Sequence, residues 1–370
     1  MAAKNVLGII FSNAYDEALP EITALRTMGS VPFGARYRLI DFPLSNMVNS
    51  GITTVGIITK SNYHSLMDHV GTGKPWDLSR KRDGMTILPP FNMPDTGMFS
   101  GKADALYGSI GFVDGSKKDY ILVCDCNVIC SIDYDDLLKA HIAKNADITL
   151  VYRHGVPPRL DSATALTFDS DGRLTGTEYI ADYERERDYS LSMLIMRRGL
   201  MERLLHEAHN DGINDFKTII QNRIEKLYVY GYEFKGFART VDSLQSYYDI
   251  SMELLKKENR AELFNKDFPI YTKVRDEVPS LYGVTAKTKN SLIADGCVID
   301  GEVENCILFR DVRISKGAKV KNSIIMQDSY IGEDCEVDCV IMDKRTALKP
   351  GKRLCGAEDF PVYVSKGKII

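Results

Sequence analysis

The sequence predicts two folded units in series, an α/β domain built on a doubly wound, mostly parallel sheet and then a left-handed parallel β-helix. Three observations carry this expectation. Through the first two thirds of the chain, short apolar runs alternate with helical patterns. From about Thr285 an aliphatic residue returns at every sixth position. The length of 370 residues also exceeds one ordinary domain of ~150. These changes of texture put the α/β domain at 1–265, a linker at 266–284 and the β-helix at 285–370.

Taken in order, Val6 to Phe11, Thr53 to Thr59, Tyr120 to Val123, Ile148 to Tyr152 and Ser192 to Met196 are nearly continuous apolar runs. Such runs are strands covered on both faces. Between them, Pro43 to Asn49 reads as a helix closed by Gly51, and Tyr134 to Lys144 as a helix with Asp133 as its N-cap. Strand–helix alternation gives a parallel sheet, whose ligands sit beyond the carboxyl ends of the strands. The loops after Phe11 and Val123 are therefore the expected site. A later helix starts near Asp242 with Leu244, Tyr248, Met252 and Leu255 on one face, and the charged run Lys256 to Arg260 reads as its solvated end. Phe268 to Gly283 carries Pro269 and Pro279 without periodicity, as a linker does. Leu308, Ile314, Val320 and Met326 then fall six apart, with a second phase in Ile325, Ile331 and Val337. A six-residue period is that of stacked triangular coils.

Hydrophobic residues at 44% and charged residues at 26% are ordinary for a globular protein that needs no disulfide or metal staples. A net charge of −4 leaves no electrostatic footprint for nucleic acid or anionic lipid. No stretch approaches the ~18 apolar residues of a membrane span, and Met1 to Val6 lacks an apolar leader, so a cytoplasmic location is expected, with neither nucleic acid nor membrane as partner. Cys124, Cys126 and Cys130 bracket an aspartate rather than forming CxxC pairs, which favours free thiols over zinc. Gly71 to Pro75 lacks the first glycine and closing hydroxyl of a P-loop, and His206 and His209 are three apart rather than the four of HExxH.

The run Gly34-Ala35-Arg36-Tyr37-Arg38-Leu39-Ile40-Asp41-Phe42-Pro43-Leu44-Ser45-Asn46, with Asn49-Ser50-Gly51 just after it, closely resembles a segment of bacterial ADP-glucose pyrophosphorylases, the glucose-1-phosphate adenylyltransferases. Gly101-Lys102-Ala103-Asp104-Ala105 looks like the GTADA element of that family. Asp125 ends an apolar strand where the family keeps a metal aspartate, and Asp215-Phe216 also fits. The resemblance covers nearly the whole chain and implies a nucleotidyltransferase-like, Rossmann-like first domain. The family joins glucose 1-phosphate to ATP, giving ADP-glucose and pyrophosphate for glycogen synthesis. In-line attack at phosphorus needs screened negative charge and a Mg²⁺ held by one or two carboxylates plus the substrate phosphates.

Several parts of that machinery are missing. Where the family has a Gly-rich loop with an arginine, this chain has Phe11-Ser12-Asn13-Ala14-Tyr15-Asp16-Glu17-Ala18-Leu19, with no glycine and two acids. Side chains there fill the space where phosphates approach backbone. The family's lysine-proline-alanine reads Met28-Gly29-Ser30. The second metal aspartate is replaced by Thr240 in Arg239-Thr240-Val241-Asp242-Ser243, and the sugar-phosphate lysine has no counterpart in Thr177 to Asp182.

These departures resemble the weakly or non-catalytic second subunit of the heteromeric enzyme, the GlgD type of glycogen biosynthesis protein. That resemblance implies a catalytic homologue as partner in a tetramer, a phosphorylated metabolite as effector, and Mg²⁺ for the complex though not necessarily any held by this chain. Asp125 is then a relic metal ligand, Gly101 and Asp104 shape the nucleotide-side loop, and Arg26, Arg36 and Arg38 bind the effector or contact a subunit. The plainer readings are a carboxylate at a strand end and structural arginines. A self-sufficient but divergent sugar-phosphate nucleotidyltransferase is the alternative function. A β-helix acyltransferase would need a histidine base near the coils, and no histidine follows His209.

Overall fold

The computed structural model describes residues 3–90 and 99–370, so Met1 and Ala2 of the N-terminal stretch lie outside the described residues. Among the described residues nine strands form one sheet: β1 (Val6–Phe11), β2 (Thr54–Ile58), β3 (Gly84–Leu88), β4 (Tyr120–Asp125), β5 (Ile148–Gly155), β6 (Thr164–Phe168), β7 (Leu174–Tyr179), β8 (Arg187–Arg197) and β9 (Val229–Glu233). The first four lie side by side in the order β3-β2-β1-β4, all parallel. β8 runs antiparallel beside β4 and then beside β5, and β9 is parallel to β5. The β6–β7 hairpin joins β8 through Tyr189 and Ala165.

Helices cover both faces: α1 (Asp41–Asn49), α2 (His64–Val70), α3 (Lys102–Tyr107), α4 (Ile110–Asp114), α5 (Tyr134–Ala143), α6 (Arg198–Asn210), α7 (Phe216–Gln221), α8 (Leu244–Glu253) and α9 (Lys257–Leu263). All six residues of β1 are buried, Val6 and Ile10 in one core and Leu7, Ile9 and Phe11 in the other, which is why the strand reads as a continuous apolar run. At Gly8 an added Cβ would stand 2.5 Å from the Met47 sulfur, so the missing side chain lets α1 lie against β1.

Differences from the sequence reading have local causes. β8 begins well before Ser192, because a register shift between Ser190 and Met193 interrupts its pairing and the apolar run starts only past that bulge. Lys256 to Arg260 is not the end of α8: Lys256 is the N-cap of α9 and Lys257 to Arg260 are its first turn, and Leu263 of that helix is fully buried. α8 buries Tyr247, Tyr248 and Ile250, while Leu244, Met252 and Leu255 are only partly covered. Its N-cap is Ser243, in a capping box with Ser246.

The C-terminal unit is three parallel five-stranded sheets, each coil donating one strand to every sheet, as in a left-handed β-helix. Its first strand is Leu281–Tyr282, inside the stretch read as linker, and it pairs with Val298–Ile299. Successive partners such as Arg313, Tyr330 and Ala347 are seventeen residues apart, and Val298 to Arg313 only fifteen, so the coils are shorter than three full hexapeptides. This explains the two phases in the sequence. Ile325, not Met326, continues Val320 into the coil interior, and Met326 turns outward into the core of the α/β domain, together with Ile307, Phe309, Ile324 and Ile341. Asn290, Asn305 and Asn322 occupy successive corners with positive φ, a conformation asparagine tolerates, and their side chains form a ladder of hydrogen bonds of 2.8 and 3.2 Å that ends on Asp338 at 2.9 Å.

Among the described residues every cysteine is free, and no helix is long and apolar enough to cross a membrane.

Candidate functional site

Parallel pairing aligns Phe11 of β1 with Asp125 of β4, so the loops leaving both strands meet beyond the carboxyl edge of the sheet. The loop after β1 is knitted by its own side chains. Ser12 Oγ donates to the Ile58 carbonyl at 2.9 Å. Asn13 accepts from the Lys60 amide at 2.7 Å and donates to the Ser61 carbonyl at 3.0 Å and to Asp16 at 2.6 Å. Asp16 turns inward and accepts the Met28 amide at 2.7 Å, leaving Glu17 as the exposed acid. Burial pushes the Asp16 carboxyl up to about 6, against the lowering effect of these hydrogen bonds.

Asp125 is 1% exposed, and its charge is answered by Lys102, the first residue of α3, whose Nζ lies 2.5 Å from its Oδ2. The same ammonium donates to the Tyr15 hydroxyl at 3.0 Å and sits 4.7 Å from the centre of the Tyr15 ring. Tyr15 also accepts from Ser162 Oγ at 3.0 Å. Burial works against the charged amine, but Asp125 and Tyr15 outweigh it and raise its pKa above the usual lysine range. The strand Ala238–Thr240 pairs with Val128–Cys130, which sets Thr240 opposite Val128 with a hydroxyl in place of a carboxylate. Asp242 is occupied elsewhere, accepting from the Arg159 amide at 2.7 Å and from Ser243 Oγ at 3.0 Å. Among the described residues no three His, Cys, Asp or Glu side chains converge. With the Lys102 ammonium on its carboxylate, Asp125 as it stands does not fit a divalent ion.

Gly101 and Asp104 shape the backbone before α3. A Cβ at Gly101 would stand 2.2 Å from the Asn214 carbonyl oxygen, which accepts the Ala103 amide at 3.0 Å. Asp104 accepts from the Ser100 amide at 3.1 Å. Asp215 caps α7 through the Thr218 amide at 2.8 Å, and Lys217 of that helix covers the Tyr179 ring. Asn46 pins α1 to the carbonyl of Cys130 at 3.0 Å.

The three arginines differ. Arg26 is committed to Asp343 of the β-helix through contacts of 2.9 and 2.8 Å, both side chains being almost inaccessible. Arg38 is 7% exposed and donates to the carbonyl and hydroxyl of Ser65 at 2.6 and 2.9 Å, with no ion pair among the described residues. Burial lowers its pKa to about 10. Arg36 lies 5.7 Å from the Tyr37 ring. Within electrostatic reach of these stand Arg275, Lys344 and Arg310, the last buried with no partner for its Nε among the described residues. Burial, then Arg38 and Arg26, push the Lys344 amine down to about 6. Sequence reasoning missed these three because they come from the linker and the coils. Lys102 was passed over as well, although it stands in the sequence as a cation where GTADA has threonine.

Residues 8–161 match the family model described as nucleotidyl transferase, and residues 278–359 match the GlmU-like, C-terminal hexapeptide model. The chain is 36% identical over 369 residues to the glycogen biosynthesis protein GlgD of Bacillus subtilis, covering 100% of this chain and 98% of the relative. It is 39% identical over 369 residues to GlgD of Geobacillus stearothermophilus, covering 98% and 97%. With the glucose-1-phosphate adenylyltransferase of Fervidobacterium nodosum it shares 32% over 355 residues, covering 95% and 86%.

Proposed function

As the chain belongs to the family of bacterial GlgD glycogen biosynthesis proteins and glucose-1-phosphate adenylyltransferases, we propose that it serves glycogen biosynthesis as a regulatory or assembly subunit of an adenylyltransferase complex, with its own catalytic site degenerate. The observation that carries this reading is the self-bonded loop after β1 beside an Asp125 already paired with Lys102. Phosphoryl transfer depends on positioned backbone donors and mobile-free positive charge around the phosphates. Here the loop's polar groups bind one another, and Lys102 is spent on Asp125.

The regulatory part rests on the basic junction. Arg36, Arg38, Arg275 and Arg310 gather here in the field of Asp41, Asp68, Asp295 and Glu277, beside a Lys344 held largely neutral and an Asp343 already taken by Arg26. Guanidinium groups in such a setting suit a phosphorylated effector, through paired charge-assisted hydrogen bonds. The partner is a catalytic homologue, in a tetramer. A divergent but self-sufficient nucleotidyltransferase is the second reading, favoured by the retention of Asp125 at the end of β4.

Pyrophosphorylase assays on this chain, on a catalytic homologue and on their mixture separate the two. The loss of ~4 kcal/mol of transition-state stabilisation is about a thousandfold. The chain alone is expected to turn over at least that much more slowly than the homologue, and to change the effector response of the mixture. Equal turnover by the chain alone would establish the second reading.

A further inference from the structure

We propose that the Lys102 ammonium is the resident cation of Asp125, taking the place of a divalent ion, and that Tyr15 and Ser162 fasten it there so that the cleft is closed to metal. Nothing in this arrangement depends on whether a catalytic partner exists.

A carboxylate as buried as Asp125 must be paired or lose its charge. Lys102 supplies the pairing at 2.5 Å from the chain itself, at no cost in translational freedom. Its backbone is fixed from behind: Gly101 lies against the Asn214 carbonyl so closely that a Cβ would stand 2.2 Å from that oxygen, and the Ala103 amide binds the same oxygen. The side chain is fixed from in front by the Tyr15 hydroxyl at 3.0 Å and by the Tyr15 ring face. Tyr15 holds φ at 66°, a left-handed conformation that a bulky residue keeps only when its surroundings enforce it. Ser162, from beyond β5, holds the far end of that side chain by donating to the Tyr15 hydroxyl at 3.0 Å. The loop after β1, the start of α3 and the segment before β6 are thereby tied across the mouth of the cleft. A magnesium ion reaching Asp125 would have to shed water, which it does reluctantly, and drive the ammonium out against cation–cation repulsion.

The test uses the full chain as wild type, Lys102→Ala, Lys102→Thr and Asp125→Asn. Thermal melting is followed with and without millimolar MgCl₂, against an NaCl control of equal ionic strength. Binding of Mn²⁺ is read from the loss of the free-ion electron paramagnetic resonance signal. The wild type is expected to melt at the same temperature with and without Mg²⁺, and to bind no more Mn²⁺ than Asp125→Asn. Each lysine variant is expected to melt lower, to regain part of the loss in Mg²⁺, and to bind one Mn²⁺ at least tenfold more tightly than wild type. A ligand that binds only the folded state stabilises it by mass action, which links the two readouts. A wild-type Mn²⁺ site that disappears in Asp125→Asn would overturn the proposal. So would folded lysine variants that bind Mn²⁺ no better than wild type. Should the lysine variants fail to fold, the comparison of wild type with Asp125→Asn still decides, equal binding supporting the proposal and a lost site refuting it.

Discussion

At the domain junction the Lys344 amine titrates near 6 instead of its ordinary 10.5, because burial and then the Arg38 and Arg26 guanidinium groups oppose its charge, with Asp343 acting the other way. The folded pKa lies below the unfolded one, so the unfolded chain binds more protons between these values. The stability this group contributes is therefore largest above pH 10.5 and is lost as pH falls toward 6. A bound anion reverses the preference by favouring the charged amine, so binding above pH 6 takes up a proton. Sulfate stays dianionic across the range and isolates this effect. Its affinity, measured by titration calorimetry, is expected to fall several-fold between pH 6 and pH 8, by no more than tenfold per pH unit for one linked proton. In Lys344→Met the affinity should be weaker and flat with pH. A wild-type affinity independent of pH would remove Lys344 from the anion site. None of this was legible in the neighbourhood of Arg36 and Arg38, since the partners that set their electrostatics arrive from residues 275, 310 and 344.

Elements dominated by one buried run were legible, and those whose register or partner decides their exposure were not. β1, β2 and β4 show in the sequence because both faces are covered, and α5 because Asp133 caps it through the Asp135 amide at 2.8 Å. β7 was missed because its residues after Leu174 are polar and largely exposed, and β9 because its glycine and tyrosines break the apolar run. The face of α8 was misjudged for another reason: its buried stripe, Tyr247, Ile250 and Ser251 with Tyr248 beside them, is turned from the one that Leu244, Met252 and Leu255 mark. The start of α3 offers a measurement. Gly101→Ala places a methyl group 2.2 Å from a carbonyl oxygen that belongs to backbone and cannot swing aside. Overpacking of this kind costs roughly 1–3 kcal/mol. A fall in melting temperature of several degrees is expected, together with loosened Lys102–Asp125 pairing. An unchanged melting curve would show that the Asn214 segment gives way.

For the whole molecule, the two units named from texture share one core. Ile307, Phe309, Ile324, Met326 and Ile341 of the coils belong to the same buried cluster as Val6, Phe33 and Leu122 of the α/β domain, and Arg26 joins Asp343 across the boundary. Each large apolar side chain left uncovered costs roughly 1.5–3 kcal/mol. A chain truncated after residue 280 is therefore expected to melt at least ten degrees lower than the full protein and to bind a hydrophobic dye such as ANS. An intact, cooperative melt of the truncated chain would mean that the shared core contributes little. Two adjacent residues of α8 carry the remaining consequence. The Tyr247 hydroxyl donates to the Pro32 carbonyl at 2.7 Å, and the Tyr248 hydroxyl to the Asn322 carbonyl at 2.6 Å, on the asparagine ladder of the coils. One helix is thus riveted to both halves. A signal arriving at the junction would have to travel as a small shift of close-packed side chains along a stiff shaft, from the rungs of the prism to the segment beneath the sheet, and not as a swing of one half away from the other.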